Sequence, residues 1–184
     1  MDYFAFYDIP RSFRPDETLL KRQYYAFSKR FHPDFYTLED EARQAEVLEQ
    51  STLNNQAYRT LTDPDQRMAY LLRLEGVLED GDNPSVPQAF LLDMMDINEG
   101  LMELEFDPDP ATVKRVSQQV AALEADLVAE LRPALDRYEA GGDQRAAALA
   151  TIKAGYLKRK YLLRIRENLN KFAAAKDGTP PSDS

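Results

Sequence analysis

The sequence contains no cysteine and only one histidine, and these two shortages exclude several classes of protein chemistry. Without cysteine the chain has no disulfide, no thiol nucleophile and no cysteine-bound zinc or iron–sulfur site of its own. A single histidine excludes the ordinary three-histidine metal sites. We therefore expect this chain to hold no metal and no cofactor.

Long apolar runs and excess positive charge are also lacking. No apolar run approaches the roughly 20 residues that span a bilayer. The first ten residues resemble neither a secretory signal nor an Arg-rich transit segment. The net charge of −9 argues against general nucleic-acid binding, which relies on a basic surface. We expect a cytoplasmic monomer that binds neither membranes nor nucleic acids.

The residues that are present favour helices. The chain is 43% hydrophobic and 30% charged, and Leu, Ala, Glu, Arg and Lys far outnumber Val and Ile. We therefore predict an all-α protein. Its predicted parts are a helical hairpin with two short helices over 1–75, a linker over 76–86, a three-helix bundle over 87–174 and a disordered tail over 175–184.

Periodicity and turn signals define the first part. Leu20, Tyr24, Phe27 and Phe31 fall on one face of a helix predicted from about Thr18 to Phe31, with Asp16 as its N-cap. A second helix is predicted from 38–40 to Leu61. The residues predicted to lie on or near its inner face are Val47, Leu48, Asn55, Tyr58 and Leu61. After the turn "TDPDQ", residues 66–74 predict a short closing helix.

The second part follows the acidic stretch "EGVLEDGDNPSVP" at 75–87, a typical domain boundary. Three helical patterns then predict an antiparallel bundle. The first pattern has Phe90, Met94, Ile97, Leu101 and Leu104 as its core stripe. The second begins after "FDPDP" at 106–110 and ends at "AGGD" at 140–143, and the third runs from about Asp143 to Phe172.

The lone histidine lies in "KRFHPDFYTLED" at 29–40, where Pro33 and Asp34 follow His32. His32 and Asp34 offer too few ligands for a metal. Neither a nucleophile pattern nor a Gly-rich phosphate loop accompanies a catalytic His32. The residues alone leave three interpretations open: an ordinary surface histidine, a catalytic base, and a rigid contact for another protein.

The first 75 positions resemble the J-domain of DnaJ-type co-chaperones. The tripeptide His32-Pro33-Asp34 between two helices is the mark of that family, and "DYFAFYDIP" is similar to the family's opening. "NNQAYRTLTDPDQRMAYL" is similar to its third helix, turn and fourth helix. The resemblance implies docking on an ATP-bound DnaK-type chaperone and stimulation of its ATP hydrolysis.

The resemblance also implies roles for residues around the tripeptide. Pro33 would fix the backbone, while His32 and Asp34 would supply directional hydrogen bonds. Four basic residues on the preceding helix would steer an acidic partner surface: Lys21, Arg22, Lys29 and Arg30. The alternative for these four is an ordinary solvated helix face. Common J-domains carry more basic charge where this chain has Tyr25 and Ala26.

The second half narrows the resemblance to one family of J-proteins. An acidic linker leads to a bundle that opens with "AFLLDMMDINEGLME", and the chain begins with "MDYF". This arrangement resembles the HscB family, in which the co-chaperone delivers an IscU-type iron–sulfur scaffold protein to a DnaK-like chaperone such as HscA. Eukaryotic members add an N-terminal Cys-rich motif, so the resemblance implies a bacterial member.

The first bundle helix carries more apolar surface than one core needs. Leu91, Leu92, Met95 and Met102 lie beside the core stripe, and carboxylates are interleaved with them. Such a face suits a protein partner, but burial between two neighbouring helices would explain it equally. The HscB resemblance implies scaffold binding by Leu91, Leu92, Met95, Asp96, Glu99, Glu103 and an aromatic residue of the last helix, with Tyr161 preferred over Tyr156. A different client protein is the alternative.

Overall fold

The computed structural model describes residues 2–79 and 86–176, with the side chains of the last helix described as far as Phe172. These residues form eight α-helices and two short 3-10 helices, and the described part contains no strand. The α-helices are α1 (Tyr3–Phe6), α2 (Glu17–Arg30), α3 (Glu41–Thr62), α4 (Pro64–Leu74), α5 (Gln88–Asp93), α6 (Met95–Phe106), α7 (Pro110–Ala140) and α8 (Arg145–Lys176). The all-α prediction is confirmed.

The chain divides into two compact units, Met1–Asp80 and Gly81–Ser184. The first unit extends beyond the helical part predicted for it, because Leu78 is buried and its backbone N–H donates to the carbonyl of Leu72. Residue 78 was predicted to belong to the linker. Residues 80–85 of that linker, and residues 177–184 of the predicted tail, lie outside the described residues. Helix α8 continues to Lys176, two residues into the predicted tail.

The first unit is built on the hairpin of α2 and α3. Asp16 is the N-cap of α2, as predicted, and its carboxylate accepts hydrogen bonds from the backbone N–H groups of Thr18 and Leu19. Leu20 is fully buried. Phe4 of α1 and Tyr7, which directly follows α1, are buried and complete this core.

A buried asparagine joins the three elements of this core. Asn54 donates to the backbone oxygen of Tyr24 (3.2 Å) and to Ser28 Oγ (3.0 Å), and its Oδ1 accepts from the Tyr7 hydroxyl (2.8 Å). Burial raises the pKa of Tyr7, which therefore stays a neutral donor. Asn55, which the sequence predicts on or near this face, is exposed, and its Oδ1 accepts a hydrogen bond from the Tyr24 hydroxyl of α2 (3.2 Å). The buried residue is its neighbour Asn54.

Leu48 is likewise predicted on or near the inner face, and here too the buried residue is its neighbour. Val47 is buried, whereas 59% of Leu48 is exposed. Consecutive residues of an α-helix lie about 100° apart around the axis, so a narrow contact face accepts only one member of such a pair. The same geometry separates Asn54 from Asn55. Periodicity locates a face to within one residue, and the neighbouring elements select the residue.

The second unit contains the long antiparallel pair α7 and α8. Salt bridges join Lys158 to Glu130 and Arg166 to Glu124 along this pair. The helices approach closely at Gly155, where an added Cβ would lie 2.4 Å from Leu131 Cδ2.

The predicted first helix of the bundle is interrupted at Met94, which separates α5 from α6 and is itself fully buried. Phe90, Ile97 and Leu104 are buried as the core stripe predicts, and Leu101 is half-buried.

Candidate functional site

The first candidate surface is the corner formed by His32, Pro33 and Asp34. Helix α2 ends at Arg30, and Pro33 begins a 3-10 helix that runs to Tyr36. A residue before proline is disfavoured in the helical region, and His32 is indeed extended, with φ −73° and ψ 121°. The proline therefore fixes the direction in which the chain leaves α2.

Local hydrogen bonds hold the corner in place. His32 Nδ1 accepts a hydrogen bond from the backbone N–H of Asp34 (3.3 Å), and the Tyr36 hydroxyl donates to the carbonyl of Arg30 (2.9 Å). On the other side, the amide of Gln44 in α3 donates to the carbonyl of Glu39 (2.7 Å). The connection between α2 and α3 is therefore anchored to both helices.

The two polar side chains of the corner remain available to solvent. The side chain of His32 is 51% exposed and that of Asp34 is 82% exposed. Their closest side-chain nitrogen–oxygen distance is 3.7 Å, which is too long for a hydrogen bond. Both groups can therefore form hydrogen bonds with another molecule. A corner buried in the core could not do this.

The four basic residues of α2 are exposed as well: Lys21, Arg22, Lys29 and Arg30. Within the described residues none of them forms a salt bridge, and the Arg30 guanidinium lies 5.2 Å from the centre of the Phe31 ring. Helix α2 thus presents uncompensated positive charge next to the corner in a chain whose net charge is −9.

Apolar side chains around the corner were not identified from the sequence. Phe35 is 69% exposed and Leu38 is fully exposed, and a cavity of about 290 Å³ lies between the corner and α3. Pro33, Asp34 and Leu48 contribute to its lining. Phe35 and Leu38 lie in a short connection without helical periodicity, so the only available signal was apolar character in a loop.

The second candidate surface is an apolar strip on α5 and α6, formed by Leu91, Leu92, Met95 and Met102. All four residues are exposed in the described structure, Leu92 by 64% and Met95 by 63%. Within the described residues, these four side chains are therefore not buried between neighbouring helices. Four exposed apolar side chains at one place form a patch typical of a protein-binding surface.

Carboxylates border the strip. Asp96 and Glu99 are exposed. Glu103 is exposed too, and its Oε2 forms a salt bridge of 2.8 Å with Arg115 of α7. This border would favour basic groups on a protein that covers the strip.

Tyr161 connects the last helix to this surface. Its ring packs edge-on against Phe90 of α5, with 6.0 Å between the ring centres, and its hydroxyl lies 3.4 Å from Asn98 Oδ1 of α6. Asn98 lies between Met95 and Met102 at helical spacing, so Tyr161 reaches the edge of the strip. The structure thus brings Tyr161 together with the residues of α5 and α6.

Two further findings concern metal ions and membranes. Among the described residues no group of three or more His, Asp or Glu side chains could hold a metal ion. No helix in the described part of the chain has the length and apolar character needed to cross a membrane.

The chain resembles a set of co-chaperones along most of its length. Residues 86–170 match the family model described as the HSCB C-terminal oligomerisation domain. The iron-sulfur cluster co-chaperone protein HscB of Mus musculus is 30% identical over 169 residues, covering 91% of this chain and 67% of that protein. The co-chaperone protein HscB homolog of Vibrio cholerae is 32% identical over 148 residues, covering 78% of this chain and 86% of the relative.

Solved structures agree with these relatives. The chain superposes on the crystal structure of human co-chaperone protein HscB with a TM-score of 0.70 and 29% identity, covering 92% of this chain and 81% of the human one. For the chaperone HscB from Vibrio cholerae the TM-score is 0.72 at 26% identity, covering 95% of this chain and 99% of that chain. Because the relatives include both bacterial and mammalian proteins, a bacterial origin stays a prediction.

Proposed function

Because the chain belongs to the HscB family of iron–sulfur cluster co-chaperones, we propose that it delivers an IscU-type scaffold protein to a DnaK- or HscA-type chaperone and stimulates that chaperone's ATPase. In this proposal the protein acts in the cytoplasm as a monomer and catalyses no reaction itself. The observation that carries the proposal is that two exposed candidate surfaces lie on two different compact units.

The corner of the first unit supports docking on the chaperone. A short, anchored turn loses little conformational entropy when it binds, because its backbone is already fixed by Pro33 and by the hydrogen bonds of Tyr36 and Gln44. His32 and Asp34 then offer polar groups of known direction to the partner. In this role the histidine binds the chaperone and takes no part in its chemistry.

The basic face of α2 supports the same docking. Exposed charges without partners in their own chain add little to stability, but they accelerate association with a surface of opposite sign. The proposed chaperone surface is therefore acidic. The rate of association should fall with increasing salt, because screening weakens interactions between exposed charges.

The apolar strip of the second unit supports scaffold binding. A scaffold that covers Leu92 and Met95 removes apolar surface from water, and the flexible methionine side chains adapt to the shape of the partner. Asp96 and Glu99 at the border would select basic groups on the scaffold. In this proposal each partner binds to a surface on its own compact unit.

The test is the steady-state ATPase rate of a DnaK- or HscA-type chaperone, measured with and without this protein and an IscU-type scaffold. We expect wild-type protein to raise the rate, and His32→Gln and Asp34→Asn to abolish that increase while scaffold affinity stays unchanged. Glu39→Gln is the matched control, since Glu39 is an exposed acid in the same connection whose side chain makes no hydrogen bond among the described residues.

Two results would contradict the proposal. An ATPase rate that is indifferent to wild-type protein would exclude chaperone stimulation. Loss of both stimulation and scaffold binding in His32→Gln would show that the two surfaces do not act separately. Binding of another client in place of the scaffold would retain the chaperone role and assign the strip to that client.

A further inference from the structure

A valley next to the apolar strip has no role in the function proposed so far. It lies between the start of α5 and the first half of α8, and its volume is about 490 Å³. Val86, Pro87 and Leu91 form one side. Ala150, Ala154 and Leu157 form the other side, at spacings of four and three residues on one face of α8. The small alanine side chains leave this space open.

The valley is continuous with the strip through Leu91. This side chain is 42% exposed and belongs both to the strip and to the lining of the valley. A protein that covers Leu91 and Leu92 therefore reaches the mouth of the valley. Tyr161 lies one helical turn beyond Leu157 on the same face of α8, so the valley leads toward the aromatic contact already described.

A row of basic residues borders the valley on α8. Lys153 lines it, and Lys160 and Arg164 follow at seven and four residues, which keeps all three near one line along the helix. Within the described residues these three form no salt bridge. In contrast, Lys158 and Arg166 of α8 are paired with Glu130 and Glu124. Among the described residues the basic row thus lacks an acidic partner.

We propose that the valley and this basic row are the second half of the scaffold-binding surface. The scaffold would insert an apolar side chain between α5 and α8 and place a carboxylate against Lys153, Lys160 or Arg164. Asp96 and Glu99, which border the apolar strip on α6, would favour basic groups of the scaffold. Acidic residues on one side and basic residues on the other then determine the orientation in which the scaffold binds.

This inference rests on the proposed function, and it selects the scaffold over a second copy of this chain for two reasons. The valley shares Leu91 with the surface assigned to the scaffold. Two copies of a chain with a net charge of −9 repel one another at long range. Occupation by a second copy is the competing outcome, and the experiment below distinguishes the two.

The experiment compares variants of the full chain by calorimetric titration with an IscU-type scaffold. Ala150→Leu fills the valley, and its control Ala147→Leu makes the same change at an exposed position of α8 outside the lining. Neutralisation of the basic row, K153Q/K160Q/R164Q, is matched by K114Q/R132Q/R137Q, which removes equal charge from exposed positions of α7.

We expect Ala150→Leu to weaken scaffold binding at least about fivefold, because the inserted side chain must leave the valley. Neutralisation of the row should weaken binding about tenfold at low salt, with the difference shrinking at high salt. Both controls should bind like wild type. Sedimentation of each variant without scaffold measures self-association, which we expect to be absent in all of them.

Other results would overturn the inference. One such result is that wild type binds the scaffold and Leu92→Ala/Met95→Ala weakens this binding, while both valley variants bind the scaffold normally. The valley is then not part of the scaffold-binding surface, and the proposed function stands. If wild type does not bind the scaffold, the proposed function and this inference both fail. If wild type self-associates and Ala150→Leu prevents it, the occupant is a second copy.

Discussion

Truncation of Leu92 and Met95 to alanine is the sharpest test of the apolar strip. About two-thirds of each side chain is exposed in the free protein, 64% for Leu92 and 63% for Met95. Complete burial of such a side chain is worth about 1.5 to 3 kcal/mol. If the scaffold covers both, each contributes about 1 to 2 kcal/mol, and alanine keeps part of that contribution.

We therefore expect the double variant to lose about 2 to 3 kcal/mol of scaffold binding, which corresponds to an increase of about 30- to 150-fold in Kd. The stability of the free protein should change far less, by under about 1 kcal/mol for each residue, because only a third of each side chain is buried in it. Calorimetric titration with the scaffold gives the Kd, and chemical denaturation gives the free energy of unfolding.

Val128→Ala is the matched control, because Val128 is an apolar residue of α7 that is 57% exposed and lies outside the strip. It should bind the scaffold like wild type. The scaffold-independent stimulation of the chaperone ATPase should also survive in the double variant. Normal scaffold affinity in the double variant, or an equal loss in Val128→Ala, would refute the assignment of the strip.

Three further predictions concern the framework that positions the two surfaces, and denaturation by urea measures each. Asn54→Ala should lower the free energy of unfolding of the first unit by about 1 to 3 kcal/mol, since it leaves buried polar partners without hydrogen bonds. Its control is Asn55→Ala, at the exposed neighbouring position, which should lower the free energy of unfolding by less. Gly155→Ala should destabilise by about 1 to 3 kcal/mol, because the new Cβ would overlap the side chain of Leu131, whereas the same change in an exposed helix would stabilise. Asp63→Ala should cost about 1 kcal/mol at neutral pH. The backbone N–H of Gln66 holds the pKa of Asp63 below its ordinary value of 3.8, so this contribution is present above that value and is lost as the pH falls through the lower folded pKa. Unchanged unfolding energies, or a cost of Asp63→Ala that persists at acidic pH, would contradict these assignments.

The family model that residues 86–170 match is described as an oligomerisation domain, whereas we expect this chain to be a monomer. Sedimentation of the wild-type chain alone decides between the two states. If a dimer formed through the apolar strip, scaffold binding would compete with dimerisation. The monomer prediction requires a mass that does not rise with protein concentration.

Local signals were sufficient to locate several helix starts and the end of α2, although they did not predict the interruption at Met94 between α5 and α6. Asp16 before α2, Asp63 before Pro64 and Asp109 before Pro110 cap helices through bonds to backbone N–H groups only two or three residues away. Pro33 ends the helical conformation before His32 in the same local way. Such interactions can be read from neighbouring residues, because no distant part of the chain takes part in them.

Interactions between distant residues could not be predicted in this way. The burial of Asn54 in place of Asn55 depends on Tyr7 and Ser28, which lie 47 and 26 residues away. The burial of Arg67, which donates to the carbonyls of Phe13 and Leu61, depends on two separate segments as well. Periodicity predicts a face of a helix, and only the packed partner selects the residue on it.

The sequence by itself determined the helical class, the position of the His32 corner and the apolar excess beside the core stripe of the first bundle helix, because short-range sterics and periodicity specify these features. Only the tertiary structure decided that Leu92 and Met95 are exposed and that Tyr161 meets Asn98. The valley between α5 and α8 likewise exists only after folding. Exposure and cavities depend on which distant segments approach one another, and no local pattern encodes that.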